Sequence, residues 1–199
     1  MMADTYGESP LVARADTLVA AADPGAVRLR ELPFRAQVNL RVDPKSPAAE
    51  RIGTAIGVML PNQGGEVATN NDLTVLWLGP DEWLVLGPDH DTDRILTLLR
   101  DALDDDFGSV TDVSAHRTVI DISGPRTREL LAKGCSLDLH PRVFGAHQCA
   151  QTLLGRAQVV LLCWDEQRPH YWLFVRASFA RHVVDWLNDA CLEYRGGWP

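Results

Sequence analysis

A chain of 199 residues that is 46% apolar can bury a full core and is too apolar to be disordered as a whole. Its formal net charge of −8 excludes the broad cationic footprint that nucleic acid or an anionic membrane demands, so neither is expected as a partner. No apolar stretch approaches the roughly 20 residues of a membrane span. No basic and apolar leader opens the chain, and Cys135, Cys149, Cys163 and Cys191 form no CxxC pair, so buried free thiols in a reducing cytoplasm are expected.

Residues 1–33 hold Gly7, Pro10, Pro24, Gly25 and Pro33 among apolar residues that keep no period. This reads as an N-terminal extension. Leu11, Val12, Leu18, Val19, Val27, Leu29 and Leu32 are too many apolar residues for a solvated tail. They either pack back on their own domain or form a contact arm for a partner. From Phe34, apolar Ala36, Val38, Leu40 and Val42 alternate with Arg35, Gln37, Asn39 and Arg41, the pattern of a half-buried strand. Ser46 and Pro47 then offer an N-cap and a first helical position, followed by Ile52, Ala55, Ile56 and Met59 at helical spacing. Residues 73–78 and 83–86 predict two strands around the turn Gly79-Pro80-Asp81-Glu82. A helix with Ile95, Leu98, Leu99, Ala102 and Leu103 on one face comes next, capped near Asp91 or Thr92 and ending in the solvated run Asp104–Asp106.

The order then repeats. Thr118, Ile120 and Ile122 alternate in a strand, and Ser123-Gly124-Pro125 starts a helix with Thr127, Leu130 and Leu131 that Gly134 should stop. Strands near 149–154, 157–164 and 171–175 precede a last helix from Ser178 carrying Phe179, Val183, Trp186, Leu187 and Ala190. Residues 34–110 and 111–199 are therefore each β-α-β-β-α in outline, the second with an extra strand. The expected fold is α+β, two ferredoxin-like halves with mostly antiparallel sheets that share one core.

Chemistry is harder to find. No dinucleotide fingerprint, P-loop, nucleophile elbow, zincin or calcium-loop motif occurs. His140, His147 and Cys149 are metal-capable types whose spacing matches no structural zinc pattern. Asp112, Ser114 and His116 lie too close in sequence to be read as a triad, and a polar turn is expected there. Trp77 and Trp83 read as core aromatics, because nothing phosphate-binding accompanies them.

Three stretches carry more than generic pattern: LWLGPDEWLVL at 76–86; DVSAHRTVIDISGPR at 112–126 with LAKGCSLDLHP at 131–141; and CAQTLLG at 149–155. Together they resemble the gamma subunit family of bacterial heterotetrameric sarcosine oxidase, over residues 34–191. Ser136 stands where that family's pattern often has proline. More distantly, the run from Arg117 through Ser123-Gly124-Pro125 to Leu130-Leu131 is similar to the aminomethyltransferase (glycine-cleavage T-protein) folate-binding fold, itself a duplicated arrangement.

The resemblance implies a complex of four chains. In it a large (alpha) subunit carries NAD and a folate-type domain, a beta subunit carries FAD, covalent FMN lies between them, and a small (delta) subunit holds zinc. Sarcosine is demethylated oxidatively to glycine, with hydrogen peroxide and a one-carbon unit passed to tetrahydrofolate. For this chain it implies membership of the complex without catalytic, cofactor-binding or metal residues of its own. Its role would be to fix the large and beta subunits, with His116, Arg117, His140 and Arg142 as candidate interface contacts. Two alternatives are an independent folate-dependent aminomethyltransferase, with Asp72 and Asp81 the nearest candidate carboxylates, and a stand-alone scaffold.

Overall fold

The computed structural model describes residues 7–19, 23 and 25–195. A short helix α1 (Ala15–Val19) leads to β1 (Arg28–Leu32), β2 (Arg35–Val42), α2 (Pro47–Ile56), β3 (Val67–Thr69), β4 (Thr74–Gly79), β5 (Glu82–Asp89), α3 (Thr92–Leu103) and β6 (Gly108–Asp112). Then follow β7 (Arg117–Ser123), α4 (Thr127–Ala132), β8 (Gln148–Leu154), β9 (Ala157–Asp165), β10 (His170–Arg176) and α5 (Ala180–Ala190). The strands form two five-stranded antiparallel sheets, β3-β4-β5-β2-β6 and β1-β7-β10-β9-β8.

Local chemistry accounts for most of these limits. Ser46 Oγ accepts the Ala49 N–H, and Pro47 takes the first helical position of α2, where its missing N–H costs nothing. Gly57 ends that helix at φ 69°, a left-handed conformation that glycine adopts freely. Ile52 and Ile56 are buried as expected, but Ala55 is exposed. Met59 falls beyond the stop with 61% of its surface exposed, so its helical spacing was coincidental. Phe34 sits at φ 60° in the turn between β1 and β2 rather than in the strand. On α3 it is Leu96, with Ile95, Leu99 and Leu103, that is buried; Leu98 is half-buried.

The two sheets pack face to face, and period-2 alternation sorts their side chains into separate cores. Leu76, Leu84, Leu86, Val119, Val160, Leu162 and Phe174 meet between the sheets. Val38, Leu40, Val75, Trp83 and Val85 face α2 and α3 on one outer side. Ile120, Ile122, Leu161, Leu173 and Val175 face α1, α4 and α5 on the other. The result is four layers, helix–sheet–sheet–helix, with the inner faces of the two sheets meeting in one cluster.

Each half follows the ferredoxin-like strand order, and here the structure adds what periodicity did not reveal. In the first half β6 completes the sheet beside β2. In the second half no strand follows α5; the equivalent place beside β7 is taken by β1, with Leu29 opposite Ile122. The segment read as an extension therefore belongs to the second sheet from Arg28 to Leu32. Leu11, Leu18, Val27 and Leu29 are all 3% exposed or less in the second outer core, whereas Val12 and Val19 stay exposed.

The four cysteines are free, and three are buried. Burial raises the Cys149 thiol to about 12, and those of Cys163 and Cys191 to about 11, which keeps them protonated and unreactive. Among the described residues no helix is long and apolar enough to cross a membrane.

Candidate interaction surface

The inner face of the second sheet is not covered along its whole length. Val119 on β7, Phe174 on β10 and Val160 on β9 are neighbours in register and buried against the first sheet. Two residues further along the same face stand Arg117, half-buried, and exposed Arg176, Gln158 and Leu153. This row emerges from between the sheets and lines a trough of about 590 Å³ with Ser136, Gln151 and Thr152.

Arg117 and Arg176 are direct cross-strand partners. Opposed Cβ atoms in an antiparallel pair lie roughly 4.5–5.5 Å apart, and like charges there repel. Among the described residues neither guanidinium has a carboxylate within ion-pair distance. Burial, then the charge of Arg176, lowers the pKa of Arg117, and Glu82 offsets this only in part. His116 precedes Arg117 and accepts the Ala177 N–H on its main-chain oxygen. Its imidazole is held below the ordinary value by burial, then by Arg117 and Arg176. Arg176 thus disfavours charge on both His116 and Arg117, in a chain whose net charge is −8.

Of the four candidate contacts, the structure brings His116 and Arg117 together with Arg176. His140 and Arg142 are exposed on the loop after α4 and line neither of the cavities that Arg117 lines. That loop is internally bonded: His140 N–H donates to Asp138 Oδ1, and Arg142 N–H donates to His140 Nδ1 at 3.2 Å. Arg176 escaped sequence reading because its significance comes from strand register, which pairs it with a residue far back in the chain.

The other constellations resolve into structural roles. Ser114 Oγ accepts the Gln37 N–H and pairs with Thr92 Oγ1, while Asp112 Oδ1 accepts the Ser114 N–H, so residues 112–116 form a polar turn. Cys149 Sγ donates to Trp77 O, and His147 meets the Trp164 ring edge-on. Among the described residues no three His, Cys, Asp or Glu side chains are placed to hold a metal. Asp81 pairs with Arg41 at the surface, and Asp72 is exposed. Trp83 is buried with its Nε1–H donating to Pro61 O at 2.8 Å, while Trp77 is only half-buried.

Sequence reading missed a second polar cluster at the opposite end of β7. Asp121, 6% exposed, accepts from Arg30 Nε at 2.7 Å and lies 2.5 Å from His170 Nε2. The three line a cavity of about 680 Å³ with Arg28, Arg168 and the Gly124-Pro125 turn. Burial is the largest single influence on the Asp121 carboxyl and pushes it up. Hydrogen bonds and charge from His170 and Arg30 together outweigh burial and hold it below the ordinary carboxylate range. A carboxyl depressed by folding adds stability above its unfolded value of about 4 and loses it as pH falls through the folded value. Asp121→Asn should therefore lower the melting temperature near pH 7 by about 3–6 °C. Melting curves of both proteins should converge once the pH has fallen through the folded value of Asp121; a gap that persists in acid would assign the loss to packing.

Comparison with known proteins matches residues 41–193 to the family described as sarcosine oxidase, gamma subunit family. The chain is 39% identical over 187 residues to the sarcosine oxidase subunit gamma of Corynebacterium sp. strain P-1, across 94% of this chain and 90% of that one. Against the subunit gamma of an Arthrobacter species it is 38% identical, with the same coverage. Among solved structures it superposes on a chain of heterotetrameric sarcosine oxidase from Corynebacterium sp. U-96, in complex with pyrrole 2-carboxylate. The TM-score is 0.89 at 37% identity, covering 97% of this chain and 98% of that one. The glycine cleavage system aminomethyltransferase T of Bartonella henselae matches with a TM-score of 0.62 at 10% identity, covering 86% of this chain and 47% of that one; this is a likeness of fold.

Proposed function

The chain belongs to the sarcosine oxidase gamma subunit family, and from that premise we propose that it serves as a non-catalytic subunit that fixes the large and beta subunits relative to one another. The small subunit completes the assembly. FAD, FMN, NAD, tetrahydrofolate and zinc are held by those partners in the cytoplasm. The complex demethylates sarcosine oxidatively to glycine, releasing hydrogen peroxide and passing a one-carbon unit to tetrahydrofolate.

The observation that carries this reading is the end-to-end match with one chain of a heterotetramer. The half-buried Arg117 beside exposed Arg176 supports it, since repelling charges with no carboxylate in ion-pair distance among the described residues suit a surface completed by another chain.

The test is to purify the tagged chain with its partners and record composition, visible spectrum and peroxide production from sarcosine. A yellow complex of four chains is expected. His116→Ala and Arg117→Ala should each reduce the yield of complex several-fold while turnover per assembled complex stays within about twofold. Normal assembly with collapsed turnover would overturn the non-catalytic role.

A further inference from the structure

We propose that the trough floored by Arg117, Arg176, Gln158 and Leu153 receives a short acidic segment of a partner subunit in extended conformation. The inference rests on the chain's acting as a subunit and goes beyond it by naming the surface and the chemistry of what fills it.

The row crosses four adjacent strands, β7, β10, β9 and β8. At a strand spacing of about 4.7–4.9 Å it spans roughly 14 Å. An extended chain covers that length in about four residues. The row is cationic at one end, where Arg117 and Arg176 face each other, and apolar at the other, where Leu153 is 45% exposed. The Gln158 amide lies between them, with Ser136 and Thr152 along the side. A compact anion would satisfy the arginines and leave the Leu153 end without a partner. A peptide with one or two carboxylates at one end and an apolar side chain about four positions along matches both ends.

The arginines suit this use. Planar guanidinium groups bind carboxylates through paired N–H donors, and a half-buried one does so with less competition from water. A carboxylate placed between Arg117 and Arg176 would remove their mutual repulsion, so part of the favourable interaction is relief of a conflict built into the free subunit. The same carboxylate would relieve the repulsion that Arg117 and Arg176 exert on His116, which ranks after burial in lowering its pKa.

The test uses the full complex and variants at Arg176, which is exposed and tolerates substitution without disturbing the core. Arg176→Glu should weaken assembly by about 100-fold, read by titrating the tagged chain against its partners. Arg176→Lys, which keeps the charge without the paired donors, should weaken assembly by no more than about tenfold and, after zero-length carbodiimide coupling, give a crosslink from residue 176 to an Asp or Glu of a partner chain. Assembly of Arg176→Glu at unchanged affinity would overturn the inference and leave the subunit role standing. Failure of the unsubstituted chain to join any complex would overturn the subunit role itself. If Arg176→Glu assembles normally and 10 mM inorganic phosphate shields Arg117 of the unsubstituted chain from arginine-specific modification, the trough is a small-anion site, which also overturns the inference.

Discussion

A chain lacking residues 1–32 is expected to lose cooperative folding of its second half. A detachable contact arm could be removed without harm to the body of the protein. Here the cut takes away Leu11, Leu18, Val27 and Leu29, each at most 3% exposed in the core that also holds Ile120, Leu161 and Val184. Burying such a side chain is worth about 1.5–3 kcal/mol, so the four together represent on the order of 6–12 kcal/mol as an upper estimate. Whole domains are stable by about 5–15 kcal/mol. The cut also strips β7 of a neighbour paired from Arg28 to Leu32 and leaves Asp121 without Arg30. Thermal unfolding followed by near-ultraviolet circular dichroism, with dye binding to exposed apolar surface, would report the loss. A sharp transition close to that of the full chain would refute the assignment of β1 to the fold.

The second large effect is expected at Trp83. It is 1% exposed in the layer between the first sheet and helices α2 and α3, among Val38, Leu40, Ile52, Ile95 and Leu99. Replacing a buried tryptophan by alanine removes its contacts and leaves a cavity that the surroundings fill only in part, costing about 3–5 kcal/mol. Its Nε1–H donates to Pro61 O, a buried carbonyl, so Trp83→Phe separates the two contributions. The phenylalanine variant keeps most of the packing and orphans the carbonyl, for a cost of about 1–3 kcal/mol. Urea titration should place Trp83→Phe between the parent and Trp83→Ala; equal midpoints for the two variants would mean that the hydrogen bond dominates.

What the sequence made legible was what repeats locally. The alternation from Ala36 to Val42, the cap at Ser46 and Pro47, and the strands around Gly79-Pro80 all formed where short-range periodicity placed them. Three strands were missed, for related reasons. β6 carries no fully buried residue and β3 spans only Val67–Thr69, so neither shows a periodic apolar face. β1 buries Leu29 deeply but flanks it with Arg28, Arg30 and Glu31, whose acceptability depends on Asp121 and Thr118 from distant β7. Such a strand is defined by its partner rather than by its own composition. The interaction surface shows the same division: Arg117 stood out beside His116, while the register that sets Arg176 against it had no trace in local pattern.

That borrowed strand also sets an order in time. At a synthesis rate of about 5–20 residues per second, Leu29 leaves the ribosome several seconds before its partner Ile122 is made. During that interval β2 to β6 can close their own sheet, since every ladder in it is internal to residues 35–112. Leu11, Leu18, Val27 and Leu29 meanwhile have no place to go. The nascent chain therefore carries an unplaced apolar segment beside a first sheet whose inner face, with Leu76, Leu84 and Leu86, is also still uncovered. This waiting period is when it is most open to chaperone capture or to mispairing with a neighbour, and it ends only when β7 emerges and the oldest strand is taken up by the youngest sheet.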